Sequence, residues 1–179
     1  MRKNVYILIV FIIAMSSFLL LSNNFTTEEK IEKVLFAIYE NNYEDFTEES
    51  FDKMANSLSR IDSKRRRGVK NFFTDEGYEN ITRRSLMTHL HSFISGYKCS
   101  SIIDKLDIDI RETSDPNAMV CYYDLTVRFE FENTEKSSMY TDFSGSISLY
   151  KEKSSWYIDT IIGSRLFNEQ LRLQFDNHK

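Results

Sequence analysis

Two cysteines, three histidines and a basic run at residues 59–70 are the features of this 179-residue chain best suited to chemistry. Cys99 and Cys121 fit neither a CxxC pair nor a zinc spacing. They read as one disulfide in an exported domain, or as two buried thiols. His89 and His91 fall in a helical stretch, where residues two apart point about 200° away from each other, so they do not share a metal. His89 can reach a pocket, but the pattern supplies no partner for it. The run "SRIDSKRRRGVK" holds six basic residues and one acid. It reads as a patch for lipid headgroups, a wall polymer or nucleic acid, or as a solvated loop between helices. It has no interleaved aromatics to stack on bases.

Whatever these residues do, other elements must hold them. A chain of this length makes one domain plus a short extra segment. About 155 residues bury roughly two thirds of their unfolded surface, which is a real core. Hydrophobic residues are 41% and charged residues 28%, an ordinary globular balance. Ten tyrosines and fourteen phenylalanines stand against five glycines and one proline. Aromatics favour pleated, half-buried surfaces. The net charge of −4 disfavours non-specific DNA binding.

The N-terminus "MRKNVYILIVFIIAMSSFLLLSNNF" places Arg2 and Lys3 ahead of an uncharged stretch from Val5 to Leu21. Some 17 residues at about 1.5 Å each give roughly 26 Å of helix, the short end of what spans a bilayer. The positive flank predicts a cytoplasmic tip at 1–4, an anchor at 5–22 and an external remainder. The rival reading is a signal cleaved after Ala14-Met15-Ser16, which would release the domain.

The next segments have helical period. Thr26 and Glu29 make a capping box, followed by Ile31, Val34, Leu35 and Ile38 on one face. Phe51, Met54, Leu58 and Ile61 mark a second helix. Thr74 caps a third, with Asp75 and Glu76 in its first turn. Leu86, Leu90, Phe93, Ile94 and Tyr97 prolong that third stripe.

From Ser100 the period becomes two. Leu106, Ile108 and Ile110 alternate with Asp107, Asp109 and Arg111. Met119, Cys121, Tyr123, Leu125, Val127, Phe129 and Phe131 then face one way for thirteen residues, long enough to require a bent or strongly twisted strand. Phe143, Ile147 and Leu149 mark a third strand. Trp156, Ile158 and Ile162 mark a fourth, with Tyr157, Asp159 and Ile161 behind. Residues 166–179 read as a C-terminal helix or tail. Short turns make the strands antiparallel neighbours. The fold class is α+β, with N-terminal helices on one face of a curved four-stranded antiparallel sheet over residues 26–165.

The opening helix "IEKVLFAIYENNYEDF", the segment "FFTDEGYENITRR", the long strand and the closing "SSWYIDTII" together resemble an NTF2-like (cystatin-type cone) domain. The resemblance implies that Trp156 packs between sheet and helices. It also implies that any enzyme chemistry would use a carboxylate or histidine inside the cone. Asp104 is the one acid in phase with the inward positions of the first strand, and Asp159 is out of phase with Trp156. No catalytic, cofactor-binding or metal-binding residue is assigned. A short cytoplasmic end, one membrane helix and an external domain are similar to VirB8-type and TcpC-type subunits of conjugation and secretion machines, and to anchored Gram-positive envelope proteins. The expected function is a non-catalytic, extracytoplasmic interaction or assembly module with a protein partner or a second copy. Its outer sheet face (Tyr122, Thr126, Arg128, Glu130) would pair with another subunit. The alternatives are a small apolar ligand or lipid in the cone, and an NTF2-like enzyme.

Overall fold

The computed structural model describes residues 25–43, 51–84, 86, 90–132 and 138–163. The expected tip at 1–4, anchor at 5–22 and tail at 166–179 lie outside the described residues, as does His89. Among the described residues, no helix is long and apolar enough to cross a membrane.

Helix α1 (Thr27–Tyr39) starts as its sequence dictates. The Glu29 amide donates to Thr26 Oγ1 at 3.2 Å, and the Thr26 amide donates to the Glu29 carboxylate at 2.7 Å. Its apolar stripe of Ile31, Val34, Leu35 and Ile38 is buried, as the 3.6-residue period requires. Helix α2 (Phe51–Val69) runs into a short 3₁₀ turn (Lys70–Phe72), and α3 (Asp75–Arg83) follows, capped by Thr74. Helix α4 (His91–Tyr97) completes the set.

Two helical expectations need correction. The basic run does not form a loop: residues 59–69 continue α2. Lys and Arg are good helix formers, so a charged, Pro-free run propagates a helix readily. The third stripe does not continue unbroken to Tyr97 either. Helix α3 ends at Arg83 and α4 begins at His91.

Strands β1 (Cys99–Glu112), β2 (Ala118–Phe131), β3 (Ser138–Glu152) and β4 (Ser155–Gly163) form one curved antiparallel sheet in sequence order. Helices α1, α3 and α4 pack against it: α1 on β1 and β4, α3 on β4, and α4 on β1. The alternation along β2 holds, with Cys121, Tyr123, Leu125, Val127 and Phe129 buried and Tyr122 and Asp124 exposed. Phe143, Ile147 and Leu149 are buried beside them. Trp156 is partly buried against the same core, and Lys30 Nζ donates to its carbonyl at 3.0 Å.

Two β-bulges change the phase of the edge strands. Ile103 faces Val127 and Lys105 faces Thr126, so Asp104 is the extra residue in β1. Leu149 faces Ile158 and Ser148 faces Thr160, so Asp159 is the extra residue in β4. Asp104 therefore does not point inward: it is exposed and pairs with Arg128 at 3.2 Å. In β4 the bulge exchanges two isoleucines, so Ile161 is buried and Ile162 stands 54% exposed. Asp159 anchors α3, because Thr74 Oγ1 donates to its carboxylate at 2.9 Å and accepts from the Gly77 amide at 3.0 Å.

The cysteines are both buried and unbonded. Cys99 faces Phe131 and Cys121 faces Ile110. Ten residues of β2 separate those two rows, roughly 33 Å at about 3.3 Å per residue, far beyond the reach of a disulfide. Burial pushes the Cys99 thiol up to about 12 and the Cys121 thiol up to about 11. Both are packing groups rather than nucleophiles.

Candidate interaction face on the sheet

The inward face of the sheet is filled by side chains. Tyr123 and Phe129 are fully buried. The Tyr39 ring lies 5.2 Å from that of Phe143, and the Tyr39 and Tyr123 hydroxyls meet at 3.3 Å. Among the described residues, the buried polar side chains are Asn41, Thr74 and Ser101, and no group of acids, histidines and cysteines is arranged to hold a metal. Asn41 and Ser101 serve each other: Asn41 Nδ2 donates to Ser101 Oγ at 3.1 Å, and Ser101 Oγ donates to the Tyr39 carbonyl at 2.7 Å.

Burial raises the pKa of Tyr39 above the ordinary 10.0, and the adjoining Tyr123 phenol adds to that. Burial raises Tyr123 as well. An acid whose folded pKa is raised holds its stabilising effect below the unfolded pKa and loses it as pH climbs beyond. The contribution of this tyrosine pair is therefore expected to hold up to about pH 10, the free tyrosine value, and to fall above it, the two buried thiols adding a loss of the same sign from about pH 9. Tyrosinate absorbance followed alongside circular dichroism would check this. Ionisation of all ten tyrosines before any loss of structure would contradict it.

The outward face is different. Tyr122 (47% exposed), Tyr140 (56%), Tyr150 (45%) and Ile162 all stand on it. The register sets them in rows. One row runs Asp109, Tyr122, Ser146, Ile162 across all four strands, and the next runs Asp107, Asp124, Ser144. Between these rows lies a hollow of about 400 Å³ lined by Tyr122, Asp124, Ser144, Ser146 and Ile162. Its floor is the row of Tyr123, Gly145 and Gly163 beneath. The rim is wide and wet, unlike an enclosed ligand cavity.

Most charges on this face are already matched. Lys105 pairs with Asp107 at 2.5 Å and Arg111 with Asp109 at 2.6 Å. The Arg111 guanidinium also lies 5.0 Å from the Tyr122 ring centre. Arg128 bridges Asp104 and Glu130. Thr126 Oγ1 donates to Asp142 at 2.7 Å. Asp124, at the edge of the hollow, makes no side-chain hydrogen bond or ion pair among the described residues.

No family model matches the chain, and no curated protein matches it. Solved structures similar to it include an IcmL-like type IV secretion system protein from Legionella pneumophila subsp. pneumophila str. Philadelphia 1, at 8% identity and a TM-score of 0.45, covering 75% of this chain and 87% of that one. A periplasmic fragment of TraM is similar at 12% identity and a TM-score of 0.39, covering 75% and 91%. Aln2 from a Streptomyces species is similar at 11% identity and a TM-score of 0.37, covering 67% and 88%.

Of the outer-face residues named from sequence, Tyr122, Thr126, Arg128 and Glu130 do share this face. Sequence reasoning missed Asp124, Ser144, Ser146 and Ile162. The bulge at Asp159 hid Ile162. The hollow itself depends on Gly145 and Gly163 lying in one row, which only the strand register reveals. His91 opens α4, and its side chain lies outside the described residues.

Proposed function

We propose that the chain is a membrane-anchored, extracytoplasmic module that assembles with other proteins through the outer face of its sheet, as an envelope component of the conjugation or secretion type. The observation that carries this reading is the outer face itself. Three tyrosines and an isoleucine stand exposed on one surface. Tyrosine is enriched at protein interfaces because it offers a large apolar body with a polar tip. The anchor is supported by the uncharged stretch from Val5 to Leu21 behind Arg2 and Lys3. A non-catalytic role is supported by an inner face packed with aromatics and by thiols held protonated. A small ligand in the cone is disfavoured by the same packing, because Tyr39, Tyr123 and Phe143 occupy the space between helix and sheet.

The test is crosslinking in native membranes followed by isolation of the full chain. The wild type is expected to carry one or two near-stoichiometric partners, either other envelope proteins or further copies of itself. Tyr122→Asp and Ile162→Asp are each expected to reduce that yield at least fivefold without changing the thermal midpoint, since both side chains are exposed. Undiminished yield with both variants would remove the outer face from the assembly.

A further inference from the structure

We infer that the occupant of the outer face is the basic helix of a second copy of this chain, so that the protein stacks head to tail. This rests on the reading of the outer face as an assembly surface. Helix α2 divides its basic residues between two jobs. Arg65 and Arg66 are partly buried and engaged within the molecule, on the Glu40 carbonyl and Asn41 and on Asp62. Arg60, Lys64 and Arg67 are exposed and make no ion pair among the described residues. Their i, i+4, i+7 spacing sets them in one stripe.

The outer face offers the complement. Asp107, Asp109, Asp124 and Asp142 outnumber Lys105 and Arg111 at its centre, and Asp124 has no ion pair of its own. The spacings agree as well. Residues four apart on a helix rise about 6 Å and residues two apart on a strand about 6.8 Å, so Arg60 and Lys64 match two successive strand positions, while the three-residue step to Arg67 rises about 4.5 Å, within the reach of a flexible arginine. Exposed Tyr122 and Ile162 line the same hollow as Asp124 and give an apolar bed for the stem of a long cationic side chain.

The two surfaces lie on opposite sides of the domain. Helix α2 packs on α1, and α1 packs on the inner face of the sheet. One molecule cannot join its own stripe to its own outer face. A contact between unlike surfaces repeats from copy to copy, giving a ring where the rotation closes and a row where it does not.

The experiment uses the full chain in detergent micelles, with sedimentation velocity as the readout. Asp124→Arg alone and Lys64→Glu with Arg67→Glu are each expected to weaken self-association at least tenfold, with unchanged thermal midpoints. Mixing the two variants is expected to restore higher assembly with the copies alternating, since the positive face of one meets the negative stripe of the other and the unaltered stripe of the first meets the unaltered face of the second. All three substitutions in one chain are expected to restore higher assembly. Raising salt from 0.05 to about 0.5 M is expected to weaken the wild-type assembly, because screening shortens from more than 10 Å to a few ångströms. The inference is overturned if the triple variant does not recover, or if the α2 variant associates like the wild type. It is also overturned if Asp124→Arg removes a different crosslinked protein while self-association persists. That last outcome would leave the proposed assembly role standing, whereas a chain with no protein partner of any kind would end both.

Discussion

Gly145→Val is expected to destabilise the chain by about 3 kcal/mol, the upper end of what overpacking costs. The position faces inward in β3, opposite Tyr123. A Cβ there would sit 2.4 Å from the Ile162 carbonyl oxygen and 2.4 Å from the Tyr123 hydroxyl. The requirement is space rather than backbone freedom, because no glycine here has a positive φ. The Tyr123 ring crosses the glycine to reach the Tyr39 hydroxyl, so a side chain would displace both the ring and a neighbouring strand. Gly163 supplies an internal control. A Cβ at Gly163 would meet the same two phenols at 3.4 and 3.6 Å, which is ordinary contact. Gly163→Ala is therefore expected to cost under about 1 kcal/mol, within the range of tolerated changes. Urea midpoints of the two variants decide the matter. Equal midpoints would show that the phenol pair does not fix the spacing of β2 and β3. The hollow on the other face shares this floor, so Gly145→Val is also expected to disturb docking there.

The α1 stripe and the alternation of β2 were readable from sequence because neither pattern is interrupted. Each apolar residue repeats at its own period from one end of the element to the other, and burial follows. The edge strands were not readable in the same way. A bulge adds one residue without a change in composition, so phase counted from one end fails at the other. Asp104 looked like an inward acid for that reason, and Ile162 looked like core. The capping threonines, Thr26 and Thr74, were legible because the hydrogen bond is local. The hollow was not, since it needs Asp124, Ser146 and Ile162 from three strands, and only the register brings them together. The basic run misled in another way. Its charge pointed to solvent, but its helix propensity carried α2 onward and turned every third or fourth residue back toward the domain.

That division within the run sets the second large effect. Arg65→Ala is expected to cost about 2–3 kcal/mol, the range for losing charge-assisted hydrogen bonds and leaving buried acceptors unpaired. The Arg65 guanidinium donates to Asn41 Oδ1 at 2.7 Å, to the Glu40 carbonyl at 3.1 Å and to the Ala37 carbonyl at 3.4 Å. Those carbonyls close the C-terminal end of α1, where a cation also meets the negative end of the helix dipole. Asn41 is buried and exchanges backbone hydrogen bonds with Ser101, so one arginine ties α2, the end of α1 and the start of β1 together. Arg65→Lys is expected to recover less than half of the loss, because a single ammonium cannot spread over three acceptors as the planar fork does. Arg67→Ala, two residues on but exposed, is expected to change stability by less than about 0.5 kcal/mol. Urea titrations of the three variants separate the two roles inside one basic run. If Arg65→Ala and Arg67→Ala proved equally mild, α2 would not be held to α1 by this arginine. If both were equally severe, Arg67 would be holding the fold and would not be free to meet the carboxylates of a second copy.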